Sequence, residues 1–90
     1  MLQLPATLMH HTAKTCLAEL LQALQATAET TVTVNAVALQ RFDSTALAVL
    51  LELSAQAQRV GKKLVLQALP TRLNDLARVY GIDALLPAAN

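Results

Sequence analysis

Glycine occurs only at Gly61 and Gly81 in the 90 residues, so there is no glycine-rich loop to bring backbone N–H groups around a phosphate. Nucleotide binding by this chain is disfavoured on that ground. The single cysteine, Cys16, cannot form an internal disulfide; it fits a reducing compartment and reads as a small core residue rather than a reactive thiol. Charge is scarce too, at 14% of residues with a net +1, which supplies little footprint for nucleic acid. The adjacent basic pair Lys62-Lys63 beside Gly61 reads as turn solubilisation. The longest unbroken apolar run, Ala46 to Leu51, has six residues, whereas a bilayer span needs roughly 20. Convergent acid, base or nucleophile groups are missing as well. His10-His11 with Cys16 comes nearest to a metal site, but adjacent histidines point apart and no second cysteine or spaced carboxylate pair joins them. The expectation is a protein with no catalytic residues, no cofactor and no metal.

What the chain has is aliphatic side chains: 54% of it is hydrophobic, mainly 19 Leu and 17 Ala. Its length allows one domain over residues 1–90, burying about 60 to 65% of the surface that the unfolded chain exposes. So apolar a chain is expected to cover part of its surface with a partner. Met1-Leu2-Gln3-Leu4-Pro5 has neither a basic n-region nor a long apolar h-region, so the expected location is the cytosol.

Hydrophobic spacing divides the chain into alternating elements. Leu2 and Leu4 around Gln3, stopped by Pro5, suggest a short edge strand. From about Thr12 to Gln25, Cys16, Leu17, Leu20, Leu21 and Leu24 recur at helical intervals. The β-branched run Thr30 to Val34 predicts a strand, which Val37 and Leu39 continue or follow. Ala46, Leu47, Leu50, Leu53 and Ala57 predict a helix from Asp43 to about Arg59, stopped by Val60-Gly61. Lys63 to Leu69 reads as a strand, and Thr71 as the cap of a helix whose Leu73, Leu76, Ala77 and Tyr80 share a face before Gly81. Ile82 to Pro87 follows as a short apolar tail. The order strand–helix–strand–helix–strand–helix defines an α/β fold, with βαβ units on a small, at least partly parallel sheet.

Asp43-Ser44-Thr45 stands where the second long helix begins. The Asp43 carboxylate suits the unpaired N–H groups of the first turn, and two hydroxyls follow it near solvent. A phosphate on either would sit at the positive end of the helix dipole and change the surface charge by roughly two units without melting the helix. At 100° per residue, with Leu47 at zero, the core arc of Ala46, Leu50, Leu53 and Ala57 falls at about 240–300°. Thr45 falls with Glu52 on a water-facing arc, while Ser44, Ala48, Leu51 and Ala55 fall at about 40–100°. The apolar arc is therefore wider than one buried stripe needs. Either Leu51 and the two alanines pack under another element of the chain, or Leu47 and Leu51 help form a semi-exposed docking patch edged by Ser44.

Phe42-Asp43-Ser44-Thr45-Ala46-Leu47-Ala48-Val49-Leu50 resembles the helix-opening stretch of the STAS domain family, shared by anti-sigma factor antagonists and the cytosolic tails of sulfate transporters. Leu64-Val65-Leu66 and Leu73 to Gly81 follow in the family order, so the resemblance spans roughly Thr31 to Pro87. Leu76-Ala77-Arg78-Val79-Tyr80-Gly81 followed by Leu85-Leu86-Pro87 is most similar to the MlaB type, the small STAS subunits of Mla phospholipid ABC transporters. The resemblance implies a STAS-like small mixed sheet flanked by helices, with a shortened N-terminal strand region and with Ala46 in place of the usual glycine. It implies a non-catalytic partner of the cytosolic ATPase subunit of a transporter that maintains outer-membrane lipid asymmetry. Such a subunit is cytoplasmic, associated indirectly with a membrane permease and not itself inserted. The alternative it implies is an anti-sigma factor antagonist in a phosphorylation-controlled partner switch. Asp43, Ser44, Thr45, Leu47, Ala48 and Leu51 are the expected contact residues. The antagonist pattern puts the switch hydroxyl at Thr45 and the MlaB-like pattern at Ser44; helix geometry mildly favours Ser44.

Overall fold

A computed structural model describes residues 2–86, and it carries the expected α/β order. Strands β1 (Leu2–Gln3), β3 (Thr31–Asn35) and β5 (Lys63–Gln67) form a three-stranded sheet in the order β1-β3-β5. Both pairings are parallel, with Leu2 opposite Val34 and Val34 opposite Leu66. Between them, β2 (Thr7–Leu8) pairs in parallel with β4 (Arg41–Phe42). Every pairing among the described residues is thus parallel, where a mixed sheet was expected. The reason is that helices α1 (Ala13–Ala26) and α2 (Thr45–Arg59) carry the chain back between successive strands, as parallel neighbours require.

Strand alternation decides what is buried. Leu2, Val32, Val34, Leu64 and Leu66 point into the core, while Gln3, Thr31, Lys63 and Gln67 are exposed on the other face. Helix α1 packs on β1 and α2, and α2 packs on β5. Cys16, Leu20 and Leu24 of α1 meet Leu50, Leu53 and Ala57 of α2 in one continuous cluster. Helix α3 (Thr71–Val79) contributes Leu73 and Ala77 to it.

The helix C-termini fall where the glycines predicted them, and the departures lie at the start of α3 and in the loops. Gly61 takes φ +75°, so the Lys62 N–H reaches back to the Ala57 carbonyl at 2.8 Å and closes α2. Gly81, at φ +72°, does the same for α3 through Ile82 N–H and Ala77 O at 2.9 Å. Thr71, expected as a cap, is instead the first helical residue and makes no side-chain cap bond. The Pro70 carbonyl accepts the Leu73 and Asn74 N–H groups at 3.0 and 3.1 Å, an arrangement suited to a residue with fixed φ just outside the first turn. Tyr80 lies past the last turn of α3 and is 59% exposed, off the face it was expected to share. Val37 and Leu39 form no strand: the Leu39 N–H bonds to the Ala36 carbonyl in a turn that buries Leu39 and leaves Val37 outside. The tail turns once as a 3-10 helix over Asp83–Leu85, after which Leu86 is buried; Pro87 lies outside the described residues.

Lys62 does more than solubilise its turn. Its ammonium donates to the carbonyls of Thr27 (2.9 Å) and Glu29 (2.8 Å), tying the end of α1 to the turn after α2. Lys62→Met keeps the aliphatic stem and removes both charge-assisted bonds, so it is expected to cost about 1–2 kcal/mol in urea unfolding. A loss within experimental error would mean that water replaces the ammonium at no cost.

Candidate functional site

The β2–β4 pairing brings the starts of α1 and α2 together at the C-terminal end of the sheet. Asp43 links them. Its Oδ1 accepts the Thr45 N–H at 2.9 Å and its Oδ2 accepts the His10 N–H at 3.1 Å. Ser44 already has helical angles (φ −62°, ψ −17°), so the capping side chain is that of Asp43. The first turn is tight: Ala46 and Leu47 N–H bond to the carbonyls of Asp43 and Ser44, both at 3.1 Å. A hydrogen bond from the Thr45 side chain is the largest influence lowering the Asp43 pKa. Desolvation, the next influence in size, opposes it, and the Thr45 and His10 backbone donors and the nearby His10 ring lower the pKa further.

This shift fixes a pH dependence. A carboxylate whose pKa is lowered by folding contributes stability that is complete above its unfolded value, about 3.9, and is lost as pH falls through the folded one. Asp43→Asn retains one acceptor oxygen but leaves the second backbone donor without its carboxylate partner. The variant is therefore expected to melt below the wild type at neutral pH, and the gap is expected to close on acidification below about pH 4. Thermal melts across that range test this; a gap that stays constant would sink the linkage.

The six residues expected to form the contact patch are not equivalent. Ser44 is exposed and its hydroxyl has no partner among the described residues, whereas Thr45 is half-buried and its backbone N–H is the one that Asp43 Oδ1 caps. The helical wheel put Thr45 in water beside Glu52; the turn back to Asp43 draws it in. Ala48 is exposed and Leu51 is half-buried against the core. Leu47 is corrected: at 2% exposure it belongs to the core and offers nothing to a docking partner. Val49, also buried, widens the core side of α2 in the other direction, so the inward arc spans Val49 through Leu47. Ala55 is exposed with Ala48, so the two alanines are not covered by another element. Ala46 is fully buried, and its methyl group fills core space.

One neighbour escaped the sequence reading. Arg72, in the first turn of α3, lies with its guanidinium 5.2 Å from the centroid of the Phe42 ring, within cation–π range. Spacing gives no hint of it, because the two residues are 30 apart in the sequence and meet only in the folded chain. The only signal was a cation at the start of a helix, where the dipole disfavours it.

Away from this end, a half-open groove of about 690 Å³ runs between β1 and α1, lined by Leu4, Thr15, Cys16 and Leu20 among others. None of the six expected contact residues lines it. Cys16 is buried in its wall, and burial, with a smaller push from Glu19, raises its pKa, as in an unreactive core thiol. No three His, Cys, Asp or Glu side chains among the described residues are grouped to hold a metal ion. Among the same residues, no helix is long and apolar enough to cross a membrane.

The comparisons with known proteins agree with this architecture. A family model described as "Mlab, STAS domain" matches residues 1–87. The chain belongs to the STAS domain family and is MlaB-like within it. No curated protein matches the sequence closely enough to count as a relative.

Proposed function

We propose that this STAS-domain protein is a non-catalytic subunit that binds and supports the cytosolic ATPase of an Mla-type phospholipid ABC transporter. It works at the cytosolic face of the inner membrane through that complex, in contact with the permease only indirectly, and so serves outer-membrane lipid asymmetry. The observation that carries this reading is the MlaB-type family match across nearly the whole chain. The site supports it in physical terms. The start of α2 offers an exposed hydroxyl at Ser44 and an exposed small residue at Ala48, on a turn held rigid by Asp43. A rigid rim with small side chains lets a partner approach without first ordering a loop. The contact is made by Asp43, Ser44, Thr45, Ala48 and Leu51, with Ser44 the hydroxyl at its centre.

Affinity purification of the tagged protein from its native cells is expected to recover an ABC ATPase subunit together with its permease. Recovery of a serine-kinase-type anti-sigma factor with no ATPase would overturn this reading in favour of the partner-switch alternative.

A further inference from the structure

Helix α1 packs against α2 on one flank, and its other flank forms the wall of the half-open groove above β1, the edge strand of the sheet. Leu2, Leu4 and Leu20 make an apolar floor. On the α1 wall the side chains are small, with Thr15 and Ala23 both exposed, so nothing long folds over the opening from there. A mainly apolar hollow of about 690 Å³ falls within the range of roughly 300–1,000 Å³ that small-ligand sites occupy. Its charge is one-sided. Glu19 brings the only carboxylate of the lining, no lysine or arginine joins it, and His11 stands at the far end of the wall, before the first turn of α1. Glu19 makes no ion pair or hydrogen bond among the described residues. Its charge nevertheless reaches the Cys16 thiol in the wall, so the carboxylate lies beside the groove and not on the outer face of the helix.

We propose that this groove binds a small amphiphile with a cationic head, its aliphatic chain lying along Leu2, Leu4 and Leu20 and its ammonium group against Glu19. Charge complementarity selects the head: an unpaired carboxylate beside an apolar hollow gives an ammonium both a counter-charge and a hydrogen-bond acceptor. An anionic amphiphile fits less well, because no lysine or arginine lines the groove to receive it and Glu19 repels it. An added peptide strand is disfavoured by the edge itself. The Leu4 N–H bonds to the Asn35 carbonyl at 2.9 Å, and the Ala6 carbonyl accepts from Gln40 and Arg41, so the residue turned to the free edge between them is Pro5. Pro5 has no N–H to give a neighbouring strand. The site is separate from the contact edge at the start of α2, and it stands whether or not that edge meets an ATPase.

The test titrates the full chain with dodecylammonium chloride and, separately, with sodium dodecanoate, both as monomers, by calorimetry and by methyl NMR of Thr15, Leu20 and Ala23. Dodecylammonium is expected to bind at least about tenfold more tightly than dodecanoate and to shift those three methyl signals. Glu19→Gln keeps the shape of the groove and is expected to bring the two affinities within about threefold of each other. Ala23→Phe fills the hollow with Glu19 in place and is expected to abolish binding of dodecylammonium; Thr15→Phe, also at an exposed position, replaces it if the far-UV spectrum changes. Equal wild-type affinity for the two amphiphiles overturns the cationic head. Binding that survives both filling substitutions puts the amine elsewhere on the protein and overturns the site. No binding of dodecylammonium to the wild type overturns the proposal outright. So does a groove that is silent to the amine while Ala23→Phe removes binding of the purified ATPase subunit, because the groove then belongs to a protein contact.

Discussion

Leu53→Ala is expected to destabilise the protein by about 2–5 kcal/mol, because it empties a fully buried site in the middle of α2. A domain of this size has roughly 5–13 kcal/mol of stability in total, so the loss is a large share. Leu53 is 0% exposed and belongs to the cluster joining α1, α2 and the sheet, where a vacated volume has no loop to collapse into it. The thermal midpoint is expected to fall by at least about 10 °C, given that each kcal/mol moves a small domain by several degrees. Leu51→Ala, two residues earlier and half-buried, is expected to cost clearly less. Equal losses at the two positions in urea titrations would show that the inward face of α2 has been assigned wrongly.

That assignment marks the boundary of what the sequence made legible. Alternation in β3 and β5 and the leucine stripes of α1 and α2 are strong periodic signals, and they predicted the α/β class and the order of its elements. Asp43 was legible as a cap because its chemistry is local: a carboxylate beside a first turn has few other things to do. Its second bond, to the His10 N–H, was not legible, because it depends on β2 and β4 lying side by side. Those strands have two residues each, too few for any period to show. Leu47 illustrates the same limit on a helix. A wheel gives angles between side chains but not the direction of the sheet, and Leu47 falls on the border between the core arc and the outer arc. The parallel sheet lies on the side that takes Val49 and Leu47 inward, leaving Ala48 and Ala55 out. Ala68 was equally invisible: it adopts φ +59° between β5 and α3, a conformation that costs a non-glycine residue about 1–2 kcal/mol and that no local pattern would choose.

Ser44→Glu is expected to weaken binding to the ATPase subunit by about tenfold or more while leaving the fold intact. Stability and binding separate here because the same charge meets two different surroundings. Within the domain, Ser44 is exposed, has no hydrogen-bond partner among the described residues, and lies at the positive end of α2, where an added carboxylate is tolerated or slightly favourable. Towards a partner, it stands beside Asp43 at the proposed contact edge, where a longer charged side chain blocks close approach and must be desolvated on binding. Ser44→Ala removes only a hydroxyl and is expected to bind within about threefold of the wild type, unless that hydroxyl itself bonds to the partner. Thr45→Glu is a different experiment. Thr45 is half-buried and its backbone N–H is held by Asp43, so a longer acid there sets a second carboxylate against the cap and is expected to lower the thermal midpoint as well as the affinity. Measuring melting and binding together on the three variants distinguishes a contact residue from a structural one. If Ser44→Glu binds the ATPase as tightly as the wild type, the start of α2 is not in the interface.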